Sequence, residues 1–482
     1  MRSRKFYVFL VIYFLFLSVI VFNFYPEHDD WSYAAPIPGM NLTESLKPSV
    51  IFWRPFHNIV SYVLGYIPSF FPYLNHCLGL FSHLVLCIFL YKVLAKVTRD
   101  NFALTIGLLF FCLSPGIVYP VSDTDIFEHG LAMVSGLAAV LCFFKAKTKG
   151  RYYYYLLWFM FAFGAVMFRE NGLSWFLASV MLFMVYSYSE RECGISTLIK
   201  ENSLHILIAA AGMILYFALR FYLLGSIRLG AAEGRYSVNL SPLNIIKNYC
   251  LIIGSAVTSA DAIAIFVKPR NYPVIVITAV ISLMFLGYIF ICLRRIFISD
   301  RKTFNIIAGL FVCAGYISSS FAVIDHVGDN TTYEMVLMCA LILGIILSSC
   351  RPRKFIEFAV IAVMLISMFC VQGHKFYVSH MLTAKIHAFI DEHKHDFSNK
   401  PSKVFVYFIA DVPEEGYSIY HMSLGKGLNS GTAFKTVWGW ETKFTVREIN
   451  SEAEIDFTPE NLPEYDTVFS LTRSGILKVL RN

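Results

Sequence analysis

Apolar runs about as long as a bilayer is thick dominate the chain. A helix needs roughly 20 mainly apolar residues to cross a hydrocarbon core, and runs near that length recur from residue 6 to residue 371. The first, Phe6–Phe24, contains no charged residue. After it come Leu74–Tyr91, Phe102–Tyr119, Ile126–Phe144, Tyr152–Phe168, Leu173–Tyr188, Leu204–Leu224, Tyr272–Leu293, Phe304–Ile324, Met335–Ser349 and Phe355–Val371. Runs of this length read as helices rather than strands, so the pattern predicts an α-helical polytopic membrane protein with about 11 transmembrane helices. Met1–Lys5 could serve as the basic region of a signal peptide. The run behind it is long for that purpose and no small-x-small cleavage site precedes Glu27, so a retained helix is expected.

Three stretches fall outside this pattern. Residues 25–73 form a long first outer loop rich in aromatic residues and proline. Leu243–Phe266 is apolar enough to suggest a further span but contains Asn244, Lys247, Asn248 and Asp261. Counting it would move Arg294, Arg295, Arg301 and Lys302 across the membrane, so residues 241–266 are expected to lie in the outer interface. From about Gly373 the chain turns hydrophilic, with an amphipathic, His-rich stretch at His380–His395 and strand-like runs at Lys403–Ile409 and Thr467–Leu471. The expected organisation is a membrane domain over 1–372 and a small α/β extracytoplasmic domain over 373–482.

Composition supports lipid as the main solvent. Hydrophobic residues make up 57% and charged residues 15%, and the mean hydropathy is +0.60, leaving too few polar side chains to cover a soluble domain of this length. The net charge of +7 does not indicate a nucleic-acid partner, because the basic residues sit in short loops between apolar runs. Threading the runs alternately places Arg2/Arg4/Lys5, Lys92/Lys96/Arg99, Lys145/Lys147/Lys149/Arg151, Arg191/Lys200, Arg294/Arg295/Arg301/Lys302 and Arg351/Arg353/Lys354 on one side. By the positive-inside rule that side, with the N-terminus, is cytoplasmic. Most of the 11 cysteines fall inside or beside apolar runs without metal-type spacing, and read as small buried hydrophobes. His76 and His83, in one run, read as interhelical hydrogen-bonding groups.

The opposite side holds the carboxylates and histidines: Glu27–Asp30, Asp123–Glu128, Arg169–Glu170 and Asp325–Glu334. In Pro26-Glu27-His28-Asp29-Asp30-Trp31 two adjacent carboxylates leave the first helix beside Trp31 and Tyr33. Mutual repulsion and partial desolvation suit one of them to act as a general base or metal ligand. Trp53-Arg54-Pro55-Phe56-His57 offers a guanidinium able to hold phosphate bidentately. Asp125, Glu128 and His129 begin the fourth run, and Arg169-Glu170-Asn171-Gly172 follows the fifth. Ionisable groups at membrane depth are costly to bury and point to function.

Together, the long first helix, the acidic pair at its exit, the Trp-Arg-Pro step in an aromatic first loop and the basic-acidic pair after the fifth helix resemble the GT-C superfamily of membrane glycosyltransferases. This group includes protein O-mannosyltransferases and bacterial aminoarabinose transferases of lipid A. The resemblance covers the order of elements over roughly the first 330 residues. It implies a GT-C-like fold in a bacterial inner (plasma) membrane, a polyprenyl-phosphate-linked sugar donor, an inverting displacement, and a glycan, lipid or protein acceptor. On that reading Asp29, with Asp30 beside it, activates the acceptor hydroxyl. Arg54 and Arg169 stabilise the phosphate leaving group, with Arg220, Arg228 and Arg235 as further cations; His57 and Glu170 line the substrate site, and Asp125 is a second acidic residue. No cofactor is required by this scheme, although Asp29, Asp125, Glu128 and His129 have the donor types for a divalent metal ion. The late outer loop departs from the family pattern, being acidic around Asp325 and Asp329 where many relatives are basic.

A transporter or flippase of lipid-linked glycans, or a non-catalytic membrane subunit, are the competing classes. No internal repeat is visible, and the charge clusters lie at helix ends rather than at broken mid-membrane segments. The threading predicts that a cysteine placed at Ser32 reacts with a membrane-impermeant maleimide added from outside; protection from it in intact cells would reverse the topology.

Overall fold

The computed structural model describes residues 3–24, 42–46, 53–65, 73–98, 100–122, 127–191, 194–225, 238–256, 272–324, 327, 332–396, 400–412, 423–438, 442–455 and 465–481. The main helices are α1 (Ser3–Val21), α2 (Pro55–Gly65), α3 (Tyr73–Val97), α4 (Asn101–Leu113), α5 (Phe127–Lys149), α6 (Tyr153–Phe168) and α7 (Trp175–Arg191). They continue with α8 (Ile195–Leu224), α9 (Pro242–Ser255), α10 (Tyr272–Ser299), α11 (Arg301–Ile317), α12 (Tyr333–Ser349) and α13 (Phe355–His393).

Each of the eleven apolar runs contains one of these helices, but not all are long enough to cross a membrane. Among the described residues seven qualify by length and composition, or eight if the bent pair Asn101–Leu113 and Pro115–Ser122 counts as one span. These are the helices of a membrane-embedded protein. The runs in α6, α11 and α12 give helices of 16, 17 and 17 residues, about 24–26 Å at 1.5 Å per residue, against a hydrocarbon core of about 30 Å. The α6 helix stops where Arg169 turns extended and hands over to a 3₁₀ turn, Glu170–Ser174.

Small residues set the closest approaches, as expected where helices associate by packing rather than by expelling water. The α5 helix lies along α6 and also packs on α3 and α7. At Gly136 an added Cβ would stand 2.3 Å from the Trp175 ring, so only glycine lets α7 seat its buried tryptophan there.

The α9 helix has 14 residues, about 21 Å. Its Asn244 and Asn248, one turn apart, face inward. Asn248 Nδ2 donates to the carbonyls of Ala322 (3.0 Å) and Ile324 (2.6 Å), and Asn244 Nδ2 to that of Ile324 (3.2 Å). Both asparagines thus satisfy carbonyls at and just past the end of the short helical turn Ser319–Ala322, which have no further helix to accept from. Residues 257–266 of the expected interfacial segment lie outside the described residues.

The α13 helix crosses the position of the expected boundary. It runs unbroken for 39 residues, about 58 Å, through Gly373 and the His-rich stretch. Ile361, Met364 and Met368 belong to the main bundle core, whereas Leu382, Ile386, Phe389 and Ile390 form the floor of the tail. Above that floor lies a sheet of β1 (Lys403–Ile409), β2 (Lys443–Ile449), β3 (Thr467–Thr472) and β4 (Leu477–Arg481), in the order β2-β1-β3-β4. The first three strands are parallel, and β4 returns antiparallel to β3. Central β1 reads as a nearly continuous apolar run because both of its faces are covered, and β3, buried throughout, intersperses apolar residues with Thr467, Ser470 and Thr472.

Asp466 ties the start of β3 to β1. Its carboxylate accepts from the Ser402 hydroxyl (2.5 Å), the Ser402 amide (2.7 Å) and the Lys403 amide (3.0 Å), chiefly the hydroxyl holding its pKa below the ordinary aspartate range. A depressed folded-state pKa adds stability above the unfolded value and loses it as pH falls through the folded one. Asp466→Asn is therefore expected to weaken the tail at neutral pH and to flatten its acid-side loss of resistance to proteolysis, measured on the purified protein across acidic pH.

Candidate functional site

Five helix ends converge on one buried charged network. Pro55 occupies the first helical position of α2, where its missing N–H costs nothing, and this start presents Arg54 and His57. Glu128 lies in the first turn of α5, Arg169 and Glu170 at the α6–α7 junction, and Arg220 in the last turns of α8. Basic residues occupy the opposite ends of the same helices: Lys147 and Lys149 close α5, and Arg191 closes α7.

Glu128 is the hub. One carboxylate oxygen accepts from Arg54 Nη1 at 3.2 Å and Arg169 Nη1 at 3.1 Å, while the other faces His57 Nδ1 at 3.3 Å. Arg54 Nε also donates to Glu170 at 2.8 Å, and Arg220 Nη1 stands 3.8 Å from the second Glu170 oxygen and 3.4 Å from the Tyr216 hydroxyl. The side chains of Glu128 and Arg220 are 3% and 1% exposed, while that of Arg54, at 18%, is the most open member. Rings complete the walls: Trp53 stacks on Tyr216, His57 on Phe127, and Arg169 lies 5.9 Å over Phe321. The ion-paired set holds three guanidiniums against two carboxylates.

The 3₁₀ turn that carries Glu170 depends on Gly172. A Cβ there would stand 2.3 Å from the Ala165 carbonyl carbon, a backbone atom that cannot yield. The next residue, Asn171, donates through Nδ2 to Glu334 in the first turn of α12, so a second polar link joins the α6–α7 junction to a helix distant in sequence.

The structure brings together Arg54, His57, Arg169 and Glu170 from the candidate substrate-binding set with Arg220, one of the further candidate cations, and Glu128, a candidate metal ligand. Glu128, considered as a metal ligand from sequence, is enclosed by two guanidiniums and an imidazole, surroundings that favour an ion-pair centre over metal ligation. His129, its neighbour, stacks on Phe321, the ring that Arg169 also covers, and its two buried ring nitrogens have no hydrogen-bond partner among the described residues. Asp29, Asp30, Asp125, Arg228 and Arg235 lie outside the described residues, as do Asp325 and Asp329. Tyr216, Asn171 and Glu334 were not among the candidate site residues; a carboxylate in the first turn of an apolar helix was the available signal for Glu334.

No protein-family model and no curated protein matches the chain.

Removing the hub charge leaves the cations without their shared anion. Glu128→Gln is expected to destabilise the protein by about 3–5 kcal/mol, read as a lower unfolding temperature in detergent. Adding Arg169→Gln to the same chain should recover part of that loss.

Proposed function

We propose that the chain is an inverting glycosyltransferase that moves a sugar from a polyprenyl-phosphate donor to an extracytoplasmic glycan, lipid or protein acceptor. The observation that carries this reading is the cluster of Arg54, Arg169 and Arg220 at one end of the helices, oriented by Glu128 and Glu170. Its excess of guanidinium suits the single negative charge of a phosphodiester, and planar guanidinium forks match phosphate oxygens. Its place at helix ends suits a lipid-borne donor whose phosphate rides at the membrane surface while its chain stays in the hydrocarbon.

In this scheme the acceptor hydroxyl attacks the anomeric carbon, the carbon–oxygen bond to phosphate breaks, and polyprenyl phosphate leaves with the electron pair. Asp29, with Asp30 beside it, takes the hydroxyl proton. Arg54, as the most open member, is the first guanidinium the phosphate meets, and stabilises the negative charge as it develops. Arg169 and Arg220 lie deeper and keep Glu170 and Glu128 from rotating away. The basic loops face the cytoplasm of a bacterial plasma membrane, and the network and tail face outward.

Asp29→Asn is expected to abolish sugar transfer in membranes supplied with a radiolabelled polyprenyl-phosphate sugar, while expression and donor binding persist. Arg54→Ala should weaken donor binding as well, by about 10-fold or more, since one charge-assisted contact is worth about 1.5–3 kcal/mol. Full transfer activity in Asp29→Asn would overturn the assignment.

A further inference from the structure

We propose that His83, Cys87 and Cys112 form a binding site for a thiolate-preferring divalent d¹⁰ cation of the Zn²⁺ class, buried among α1, α3, α4 and α12. His83 and Cys87 are one turn apart on α3, and Cys112 comes from the end of α4. All three are buried, and their donor atoms lie within 4.8 Å of one another. The two sulfurs are 3.9 Å apart, and Cys87 Sγ is 3.7 Å from His83 Nε2.

Those two separations match two edges of a tetrahedron around zinc, and the third, from His83 to Cys112, lies within 4.8 Å. With Zn–S of about 2.3 Å and Zn–N of about 2.0–2.1 Å, tetrahedral angles place two sulfurs about 3.8 Å apart and a sulfur and nitrogen about 3.6 Å apart. Without metal the same separations are those of sulfur hydrogen bonds, Cys87 to His83 Nε2 and Cys87 to Cys112, so the thiols are already turned toward the imidazole that would join them in ligation.

The surroundings match what a bound metal requires of its outer contacts. His83 Nδ1 lies 2.6 Å from the Tyr333 hydroxyl, which holds the ring with Nε2 toward the sulfurs and, in the ligating tautomer, would accept the Nδ1 proton, as outer contacts of ligating histidines do. The Tyr13 hydroxyl stands 3.0 Å from Nε2 and donates to the Cys112 carbonyl at 3.0 Å, beside the fourth coordination position. Gln372 Nε2 donates to the same carbonyl at 3.0 Å. Phe111 stacks on His83 and contributes an apolar wall.

Charge selects among cations. Binding forms two metal–sulfur bonds and releases one proton from each thiol to solvent. Two thiolates, a neutral imidazole and a divalent ion sum to zero, the state least costly to hold among apolar helices; a monovalent ion would leave one negative charge. The site would fasten α1 to α3 and α4, one residue along α12 from the Glu334–Asn171 link.

The test uses the full-length protein in detergent, stripped with a chelator and titrated with Co²⁺ and then Zn²⁺. Expected is a cobalt–thiolate charge-transfer band that saturates at one equivalent and is displaced by Zn²⁺. Cys87→Ser and Cys112→Ser should each abolish it, and Cys142→Ser should leave it intact. Tyr333→Phe should weaken Zn²⁺ binding by about 10–100-fold. A monodisperse native protein that shows no such band, or a band that survives both serine substitutions, overturns the proposal. The wild-type titration decides even if a variant fails to fold.

Discussion

The shared carboxylate of Glu128 is the constraint on which this end of the bundle depends. Taking a charge out of water costs several kcal/mol even after relaxation, so neither Arg169 nor Arg220 can be buried alone. Glu128 and Glu170 meet that cost jointly, each facing two arginines. The network therefore forms as a unit, and with it the ends of α2, α5, α6, α7 and α8 are brought to fixed positions. The shortness of α6 follows: its last residue must deliver Arg169 to Glu128 rather than carry the helix onward.

Under the proposed function, such a unit would also link recognition to architecture. A donor phosphate entering from the Arg54 side, as proposed, would compete with Glu170 and Glu128 for the same guanidinium N–H groups. Donor binding would thus be an exchange of anions around fixed cations, with the carboxylates setting the orientation that an incoming phosphate inherits.

How far all this is legible in sequence depends on the range of the cause. Apolar runs located the helices because burial in lipid is imposed residue by residue, and β1 was legible because a central parallel strand is apolar on both faces. Helix lengths were less legible: no proline or capping glycine closes the run near Gly373, and the packing of Leu382, Ile386 and Phe389 under the sheet extends α13 past it. Arg54, His57, Arg169 and Glu170 stood out as ionisable groups at span ends. Their grouping around Glu128 did not, since its contacts reach 74 residues back to Arg54 and 41 forward to Arg169. Cys87 and Cys112 show no metal-type spacing; only the packing of α3 against α4 aligns their sulfurs with His83.

The length of α13 bears on the tail's freedom. A flexible tether would let the sheet tumble independently of the bundle. An uninterrupted helix instead transmits torque: Gln372 is hydrogen-bonded to the carbonyls of Cys112 and Ser114, while Ile386, four turns further along the same rod, carries the sheet's floor. A sideways load on β1–β4 would therefore have to bend α13 itself, a continuous hydrogen-bonded helix, where a loop would simply hinge.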